Sequence, residues 1–295
     1  MTTKPRPIQQ ERSTITSQAF EFTNDDFSFV KELLYDNTGI LLDQDKKEMA
    51  YGRVRKRIKA LSMSSFEEYK HYLQTQQSKE FIHFINALTT NMTSFYREKH
   101  HFNYLIQEIL RKKKLQPTNQ RTFNIWSAGC STGQEPYSIA LTILQEPSLA
   151  KLPITITATD IDTDVLNTAK SGTYLKSRIT GLSPQEINRF FRLNDDNPKS
   201  ADPFYQVTDD VKRMIQFRPV NLMKPWHFAQ PFDVIFCRNV TIYFDRETQC
   251  TLFQRFSKQL VSEGHLFIGH SETIDSSVQV FTKVAETTYQ LTLRI

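Results

Sequence analysis

Glycine is scarce in this chain, with eight of 295 residues against an average usage of about 7%. Phe and Tyr are instead plentiful, at 22 and 11 residues. Linkers, collagen-like repeats and low-complexity segments have the opposite composition, so these classes are excluded and a substantial core is expected. Because glycines are few, each position is informative, and Gly129 and Gly133 lie within five residues of each other.

Cysteine is also rare. Cys130, Cys237 and Cys250 show no CxxC spacing, which argues against a disulfide scaffold or a zinc site and fits a reducing compartment. The N-terminus lacks the apolar core of a secretion signal, and no apolar run approaches the roughly 18 residues of a spanning helix. We therefore expect a cytoplasmic protein with no membrane insertion and no metal. The net charge of +5 is mild, so its distribution matters more than its sum.

The chain divides into four parts by pattern. Residues 1–20 are polar and predict a disordered lead-in, and residues 21–90 have the spacing of an N-terminal all-α domain. Residues 91–121 form a connecting segment with a helix over 98–114. Residues 122–295 alternate strands and helices, which predicts an α/β doubly wound, mostly parallel sheet with helices on both faces.

Capping signals mark three helices of the N-terminal domain. Thr23 with Asp26, and Ser64 with Glu67, have capping-box spacing for the first and third helices. Ser78 is the predicted cap of the fourth helix.

A small β-containing subdomain is predicted as an insertion at residues 172–218. A helix capped by Ser183 and Glu186 opens it, and a polar loop over 194–203 follows. Strands at Phe204–Val207 and 213–217 then flank a Thr-Asp-Asp turn, which predicts a hairpin.

The end of the first predicted strand, Phe123–Ala128, carries the motif GCSTG over residues 129–133, before a helix that begins Gln-Glu-Pro. An ordinary tight turn is one interpretation. A dinucleotide loop is disfavoured because the spacing is not GxGxxG and the Glu135 carboxylate would repel a diphosphate. S-adenosylmethionine (SAM), which is cationic and has no phosphate, suits Glu135, although an acid in a first helical turn also favours the helix dipole without any ligand.

Asp160 ends the second predicted strand, Ile154–Asp160. A carboxylate at this place can accept hydrogen bonds from both ribose hydroxyls of NAD or SAM. Asp162 and Asp164 are candidate caps of the next helix, whereas Asp160 lies too early for capping. Together the two strand ends indicate a SAM-dependent methyltransferase.

Five blocks of sequence are similar to those of chemotaxis-receptor methyltransferases, the CheR family, in the family's order and across residues 20 to 295. They are LTTNMTSFYRE at 88–98, SAGCSTGQEPYS at 127–138, ATDID at 158–162, FCRNVTIYF at 236–244 and GHSE at 269–272. The resemblance implies methyl transfer from SAM to glutamate side chains of methyl-accepting chemotaxis receptors. The products are glutamyl methyl esters and S-adenosylhomocysteine.

The resemblance also implies site residues. The cofactor-binding positions that it implies are Asn91, Thr93, Arg97, Gly129, Glu135, Asp160, Asn221, Leu222, Arg238 and Asn239. Arg97 and Tyr243 are the predicted catalytic residues, which orient the incoming carboxylate through N–H and O–H donors. The competing interpretation is a surface or capping charge at Arg97 and a core aromatic at Tyr243.

The second predicted helix, residues 45–61, carries seven cations. A solvated charged face is one explanation, and nucleic-acid binding is a second. The resemblance favours docking of an acidic receptor hairpin on Arg53, Lys56, Arg57 and Lys59, and it leaves open a receptor C-terminal tether peptide bound by the inserted subdomain.

Two other functions compete with receptor methylation. A methyltransferase for nucleic acid or small molecules would share this fold, but no aromatic base-stacking platform or Asn/Asp-Pro-Pro-Tyr motif is visible. A SAM-binding regulatory module without transfer activity would be expected to lose Arg97 or Tyr243, and both are present.

Overall fold

The computed structural model describes residues 20–75, 79–114, 121–149, 152–194 and 202–292. The predicted lead-in, apart from Phe20, lies outside the described residues. So do the predicted cap Ser78 and most of the polar loop at 194–203.

Four helices form the N-terminal domain: α1 (Asn24–Thr38), α2 (Lys47–Ala60), α3 (Phe66–Thr75) and α4 (Lys79–Leu88). The predicted capping box of α1 is confirmed, because Thr23 Oγ1 accepts from the Asp26 N–H at 3.1 Å and the Asp26 carboxylate accepts from the Thr23 N–H at 2.8 Å. Apolar side chains on the inner face of each helix, Phe27 and Phe84 among them, make one core. The predicted all-α domain is therefore present.

The capping box predicted for α3 is wrong by one residue. Ser65 Oγ accepts from the Glu68 N–H at 3.2 Å, while the Glu68 carboxylate accepts from the Ser64 N–H at 2.9 Å. Phe66 and Tyr69 are both buried in the domain core. Their burial fixes the phase of the helix, which begins at Phe66.

The connecting helix is shorter and less regular than predicted. It comprises α5 (His100–Tyr104), a π-helical segment (Leu105–Leu110) and α6 (Arg111–Lys114). It begins at His100 rather than at residue 98 because Glu98 has φ +55°, outside the helical region.

Seven strands form the large sheet, in the order β6-β2-β1-β7-β8-β10-β9. They are β1 (Phe123–Ala128), β2 (Ile154–Asp160), β6 (Ile215–Pro219), β7 (Phe232–Cys237), β8 (Leu260–Ile268), β9 (Phe281–Ala285) and β10 (Thr288–Leu291). The first five strands in this order pair in parallel, and the last two are antiparallel. Strand β8 begins at Leu260, which pairs with Phe232 of β7.

Both faces of the large sheet are covered, which confirms the predicted doubly wound architecture. The helices that connect its strands include α7 (Gln134–Leu144), α8 (Thr163–Ser171) and α11 (Arg246–Gln259). Along β7, Val234 and Phe236 pack into one buried cluster, whereas Ile235 and Cys237 pack into the other. Alternate side chains of one strand therefore serve two cores.

A separate antiparallel sheet, with the order β3-β5-β4, lies within the predicted insertion. Its strands are β3 (Thr173–Leu175), β4 (Phe191–Leu193) and β5 (Phe204–Val207), with α9 (Pro184–Phe190) before β4. The predicted cap of α9 is confirmed, because Ser183 Oγ accepts from the Glu186 N–H at 3.2 Å.

The predicted hairpin is wrong. β5 pairs with β3 and β4, and the following Thr-Asp-Asp run leads into a short helix, α10 (Asp209–Lys212). β6 instead joins the large sheet in parallel with β2, where Ile215 pairs with Ile156. The parallel partner lies some 60 residues earlier in the chain, so local turn chemistry could not reveal it.

Across the described ranges, we find no helix with both the length and the apolar character needed to cross a membrane.

Candidate active site

A cavity of about 340 Å³ opens where β1, β2 and β7 end, and the N-terminal domain closes its far side. The carboxyl ends of parallel strands are the usual ligand-binding edge of a doubly wound sheet. The structure places every predicted cofactor-binding residue and both predicted catalytic residues in this lining: Asn91, Thr93, Arg97, Gly129, Glu135, Asp160, Asn221, Leu222, Arg238, Asn239 and Tyr243.

The turn after β1 brings backbone to the cavity wall. Gly129 has φ +82°, and a Cβ atom there would lie 2.4 Å from Val240 Cγ2. No other residue type fits this close approach without strain. The Gly129 and Cys130 N–H groups donate to the Thr159 carbonyl at 2.8 and 2.9 Å, which fixes the turn against β2.

Glu135 occupies the first turn of α7 and faces the cavity. One carboxylate oxygen accepts from Ser127 Oγ at 2.7 Å and the other from Arg238 Nη1 at 3.2 Å. Burial raises the pKa of Glu135, and the nearby Arg238 charge opposes that rise. The carboxylate is therefore held in a fixed orientation.

Asp160 lies at the end of β2, where it accepts from the Ser131 N–H at 2.8 Å and the Asp162 N–H at 3.0 Å. Burial raises its pKa to about 6, against the lowering effect of these backbone donors. Asp162 is the cap of α8, since it accepts from the Asp164 and Val165 N–H groups. As predicted, Asp160 lies at the cavity, whereas Asp162 caps the next helix.

The connecting segment is tied to the same capping residue. Asn91 Nδ2 donates to Asp162 Oδ2 at 2.8 Å, and Thr89 Oγ1 donates to the same oxygen at 2.7 Å. These bonds hold the segment that carries Asn91, Thr93 and Arg97 across one side of the cavity.

Arg97 is presented between two residues with left-handed backbone. Tyr96 and Glu98 have φ +54° and +55°, a conformation that costs energy for residues other than glycine. The Tyr96 N–H donates to Ser138 Oγ at 2.9 Å, and the Arg238 guanidinium donates to the Arg97 carbonyl. Arg97 Nη1 itself donates to the Met92 carbonyl at 3.1 Å. The surrounding bonds hold the strained segment in place.

Glu98 is a site residue that the sequence analysis missed. Its carboxylate pairs with Arg238 at 3.3 Å and with His270 Nδ1 at 2.9 Å. Burial opposes ionisation of Glu98, but the His270 hydrogen bonds and the Arg238 charge outweigh it and lower its pKa to about 2. Burial and the Arg238 charge lower the pKa of the neighbouring His101 to about 3, so that ring is neutral.

Glu272 is a second residue whose role was missed. Its buried carboxylate accepts from the Asn239, Val240 and Thr241 N–H groups at 2.9, 2.9 and 2.7 Å. Asn239 has φ +58°, and the turn that it begins leads to Tyr243. The single carboxylate therefore fixes the path of the segment that carries both cavity residues. The only sequence signal was the block GHSE, which did not show what Glu272 binds.

Asn221 joins the cavity to the N-terminal domain. Its amide Nδ2 donates to the Asn37 carbonyl at 2.7 Å, and its Oδ1 accepts from the Met223 N–H at 2.8 Å. Arg255 donates to the Leu222 carbonyl and stacks over the Trp226 ring. The loop after β6 is thus held from both sides.

The four predicted docking residues on α2 fall into two groups. Arg57 makes a two-pronged ion pair with the buried Glu80 at 2.9 and 2.7 Å, and Arg53 donates to the Ala87 and Thr89 carbonyls. Lys56 and Lys59 are exposed. Arg53 and Arg57 therefore stabilise the domain itself, whereas the two lysines face solvent.

Comparison with known families decides the membership of this chain. Residues 91–290 match the model described as CheR methyltransferase, SAM binding domain, and residues 25–89 match the CheR methyltransferase, all-alpha domain. The chain belongs to the CheR methyltransferase family. The resemblance found from the five sequence blocks is confirmed, and most residues that line the cavity belong to the SAM-binding domain.

Curated relatives cover nearly the whole of this CheR family member. It is 38% identical over 289 residues to chemotaxis protein methyltransferase 2 of Pseudomonas aeruginosa, with 98% of each chain covered. It is 38% identical to the chemotaxis protein methyltransferase of Salmonella typhimurium, with 93% of each chain covered. The Escherichia coli chemotaxis protein methyltransferase is also 38% identical, with 90% of each chain covered.

Proposed function

We propose that this protein transfers the SAM methyl group to glutamate carboxylates of methyl-accepting chemotaxis receptors, in the cytoplasm, and so forms glutamyl methyl esters. The observation that carries the proposal is the meeting of Arg97 and Tyr243 with two acids, the buried Asp160 and the partly buried Glu135, in one cavity. Family membership and the printed names of the relatives support the chemotactic role.

The residues of the cavity fit SAM. Two carboxylates, on Glu135 and Asp160, suit a ligand with ammonium and sulfonium charges, and they would repel a diphosphate. Gly129 leaves its backbone bare at the cavity wall, where a ligand can come close, and the tight packing of this turn against Val240 excludes a larger residue. In this proposal Asp160 accepts from the ribose hydroxyls, and Asn221 and Leu222 border the adenine. Arg238 acts by orienting Glu135.

When bound, SAM supplies an electrophilic methyl group on a sulfonium sulfur. A glutamate carboxylate, with reference pKa near 4.3, is already ionised at neutral pH, so the protein needs no general base. His270 is therefore not needed as a base. Its Nδ1 lies 2.9 Å from a Glu98 carboxylate oxygen, which fits a structural role. What the protein must supply is alignment of the carboxylate and exclusion of bulk water.

Arg97 and Tyr243 carry the alignment in this proposal. The Arg97 guanidinium bonds the Met92 carbonyl through Nη1, and its other N–H groups form a fork suited to two carboxylate oxygens. Tyr243 adds a hydroxyl donor from the opposite segment, the 3₁₀ turn Thr241–Tyr243 after β7. The two donors approach from chain segments that Arg238 and Glu272 hold in place.

The test uses SAM labelled in its methyl group and a cytoplasmic fragment of a methyl-accepting receptor. We expect incorporated label that mild base releases, as a carboxyl methyl ester requires. The matched control is the same fragment with its acceptor glutamates replaced by glutamine, which should take up no label. Base-stable label, or equal labelling of the control, would contradict the proposal.

Docking of the receptor is a further part of the proposal. Receptors of this class present their glutamates on long helical hairpins, and the exposed Lys56 and Lys59 of α2 can steer an acidic surface. Binding of a receptor C-terminal tether peptide by the inserted subdomain stays a prediction.

A further inference from the structure

Three exposed apolar side chains surround the mouth of the cavity. Leu41, Met92 and Ile242 are 43%, 83% and 46% exposed, and all three line the cavity. Within the described residues, eight large apolar side chains are exposed, so three of the eight lie at this one opening. Exposed apolar side chains that cluster at one place indicate an interaction surface rather than chance. We call these three residues the rim.

Each rim residue is joined to a predicted catalytic residue. The Leu41 N–H donates to the Tyr243 carbonyl at 2.8 Å, and Ile242 directly precedes Tyr243. The Met92 carbonyl accepts from Arg97 Nη1 at 3.1 Å. The rim therefore flanks both groups that the proposed function assigns to the incoming carboxylate.

Two rim residues lie next to side chains that are buried. Leu42, next to Leu41, is buried in the core of the N-terminal domain, and Thr241, next to Ile242, is buried against Glu272. The chain thus buries one residue of each pair and leaves the apolar neighbour at the opening. Met92 lies in the segment held by Asn91, and its side chain is the most exposed of the eight.

We propose that the rim binds apolar side chains that flank the acceptor glutamate on a receptor helix; this inference rests on the proposed function. A helix about 10 Å wide cannot enter the cavity, so only the glutamate side chain enters. Residues three and four positions away lie on the same face of that helix, where they meet the rim. The flexible thioether of Met92 suits acceptor sites that differ in shape.

Charge at the opening agrees with this occupant. Arg97 lies in the cavity and supplies a cation for the glutamate carboxylate, whereas the exposed Lys46 shares the lining with Asp43 and is paired with Asp45 at 2.8 Å. An apolar edge with Arg97 behind it complements a helix that offers a glutamate among apolar neighbours. It suits nucleic acid poorly, since phosphate backbones bind through cations and offer no apolar side chains.

The experiment compares Met92→Ser and Ile242→Ser with a matched control, Ile82→Ser. Ile82 is 42% exposed on α4 and is not part of the cavity lining. With a receptor cytoplasmic fragment as substrate, we expect the KM of each rim variant to rise about five- to tenfold. The SAM Kd, measured by calorimetry, and kcat should stay within about twofold of the unmodified protein, as should every parameter of the control.

The outcomes separate this inference from the proposed function. If KM is unchanged in both rim variants while the unmodified protein methylates the fragment, the role of the rim is contradicted and the proposed function stands. Failure of the unmodified protein to methylate any glutamate would overturn the proposed function, and the rim with it.

A second measurement pairs the rim with its partner. The apolar residues one helical turn from the acceptor glutamate are replaced by asparagine in the receptor fragment. If they contact Met92 and Ile242, the effects on KM of the two sets of substitutions will be less than additive. Full additivity would contradict the contact.

Discussion

Glu98 forms an ion pair with Arg238, which lies 140 residues further along the chain. The same guanidinium pairs with Glu135 at 3.2 Å and donates to the Arg97 carbonyl. One buried cation therefore joins the segment that presents Arg97 to the helix that presents Glu135. The alignment proposed for methyl transfer depends on this junction.

Glu98→Gln tests the junction. The amide keeps the shape of the side chain but removes the negative charge beside Arg238, so we expect a loss of about 1–3 kcal/mol in the free energy of unfolding at pH 7. Since the pKa of Glu98 is lowered from 4.5 to about 2, its stabilising effect is full above pH 4.5 and disappears as the pH falls through about 2. Urea unfolding at several pH values measures the difference. Equal stability of the two proteins at pH 7 would contradict this role.

Asp160→Asn tests the ribose acceptor. We expect SAM to bind about tenfold more weakly or worse, because a hydrogen bond to a charged acceptor is lost. In the unmodified protein, burial raises the pKa of Asp160 to about 6, so its carboxylate becomes protonated as the pH falls through that value. SAM affinity should therefore fall between pH 8 and pH 5, and the variant should lose most of this dependence. Calorimetry across that range checks both statements; a flat profile for the unmodified protein would count against them.

Two glycines give a matched pair for the turn after β1. Gly129→Ala forces a Cβ atom to within 2.4 Å of Val240 Cγ2 at φ +82°, so we expect a stability loss of about 1–3 kcal/mol together with weaker SAM binding. Gly52→Ala, in α2, meets nothing within 4 Å and should stabilise the protein by about 0.5–1 kcal/mol. Thermal unfolding with and without SAM measures both. If both variants changed stability and SAM binding to the same extent, the close contact between the Gly129 backbone and Val240 would be refuted.

Arg97→Ala separates catalysis from cofactor binding. If Arg97 orients the substrate carboxylate, kcat should fall by about a hundredfold or more while the SAM Kd changes by less than about fivefold. Initial rates and calorimetry give the two numbers. Comparable losses in both would show that Arg97 acts mainly through SAM.

We expect the basic residues of α2 to have two roles: Lys56 and Lys59 attract the receptor, and Arg57 stabilises the domain. The double variant Lys56→Glu and Lys59→Glu should raise the KM for a receptor fragment, most strongly at low salt, and should alter the free energy of unfolding by no more than about 0.5 kcal/mol. Arg57→Ala leaves the buried Glu80 without its ion partner and should cost about 3 kcal/mol. An unfolding cost for the lysines, or none for Arg57, would reverse the assignment.

Local pattern predicted much of the framework. The predicted bounds of β1 and β2 agree with the structure, because buried β-branched and aromatic runs end at recognisable turns. Gly129, Glu135 and Asp160 were likewise found from their places at strand ends, and all three line the cavity.

Contacts between residues far apart in the chain could not be predicted from local sequence pattern. Glu98 bonds His270, 172 residues away, and no spacing rule relates the two. Glu272 binds the N–H groups of Asn239 to Thr241, which become neighbours only when β7 and β8 pair. The hairpin prediction was wrong for the same reason, since β6 pairs with β2 and not with β5.

The most direct measurement is mass spectrometry of a receptor fragment after reaction with SAM and this protein, with the modified residue located by fragmentation. The proposed function predicts one methyl group on glutamate side chains, lost on mild base treatment and absent with Arg97→Ala. A methyl group on nitrogen, stable to base, or on residues other than glutamate would contradict it.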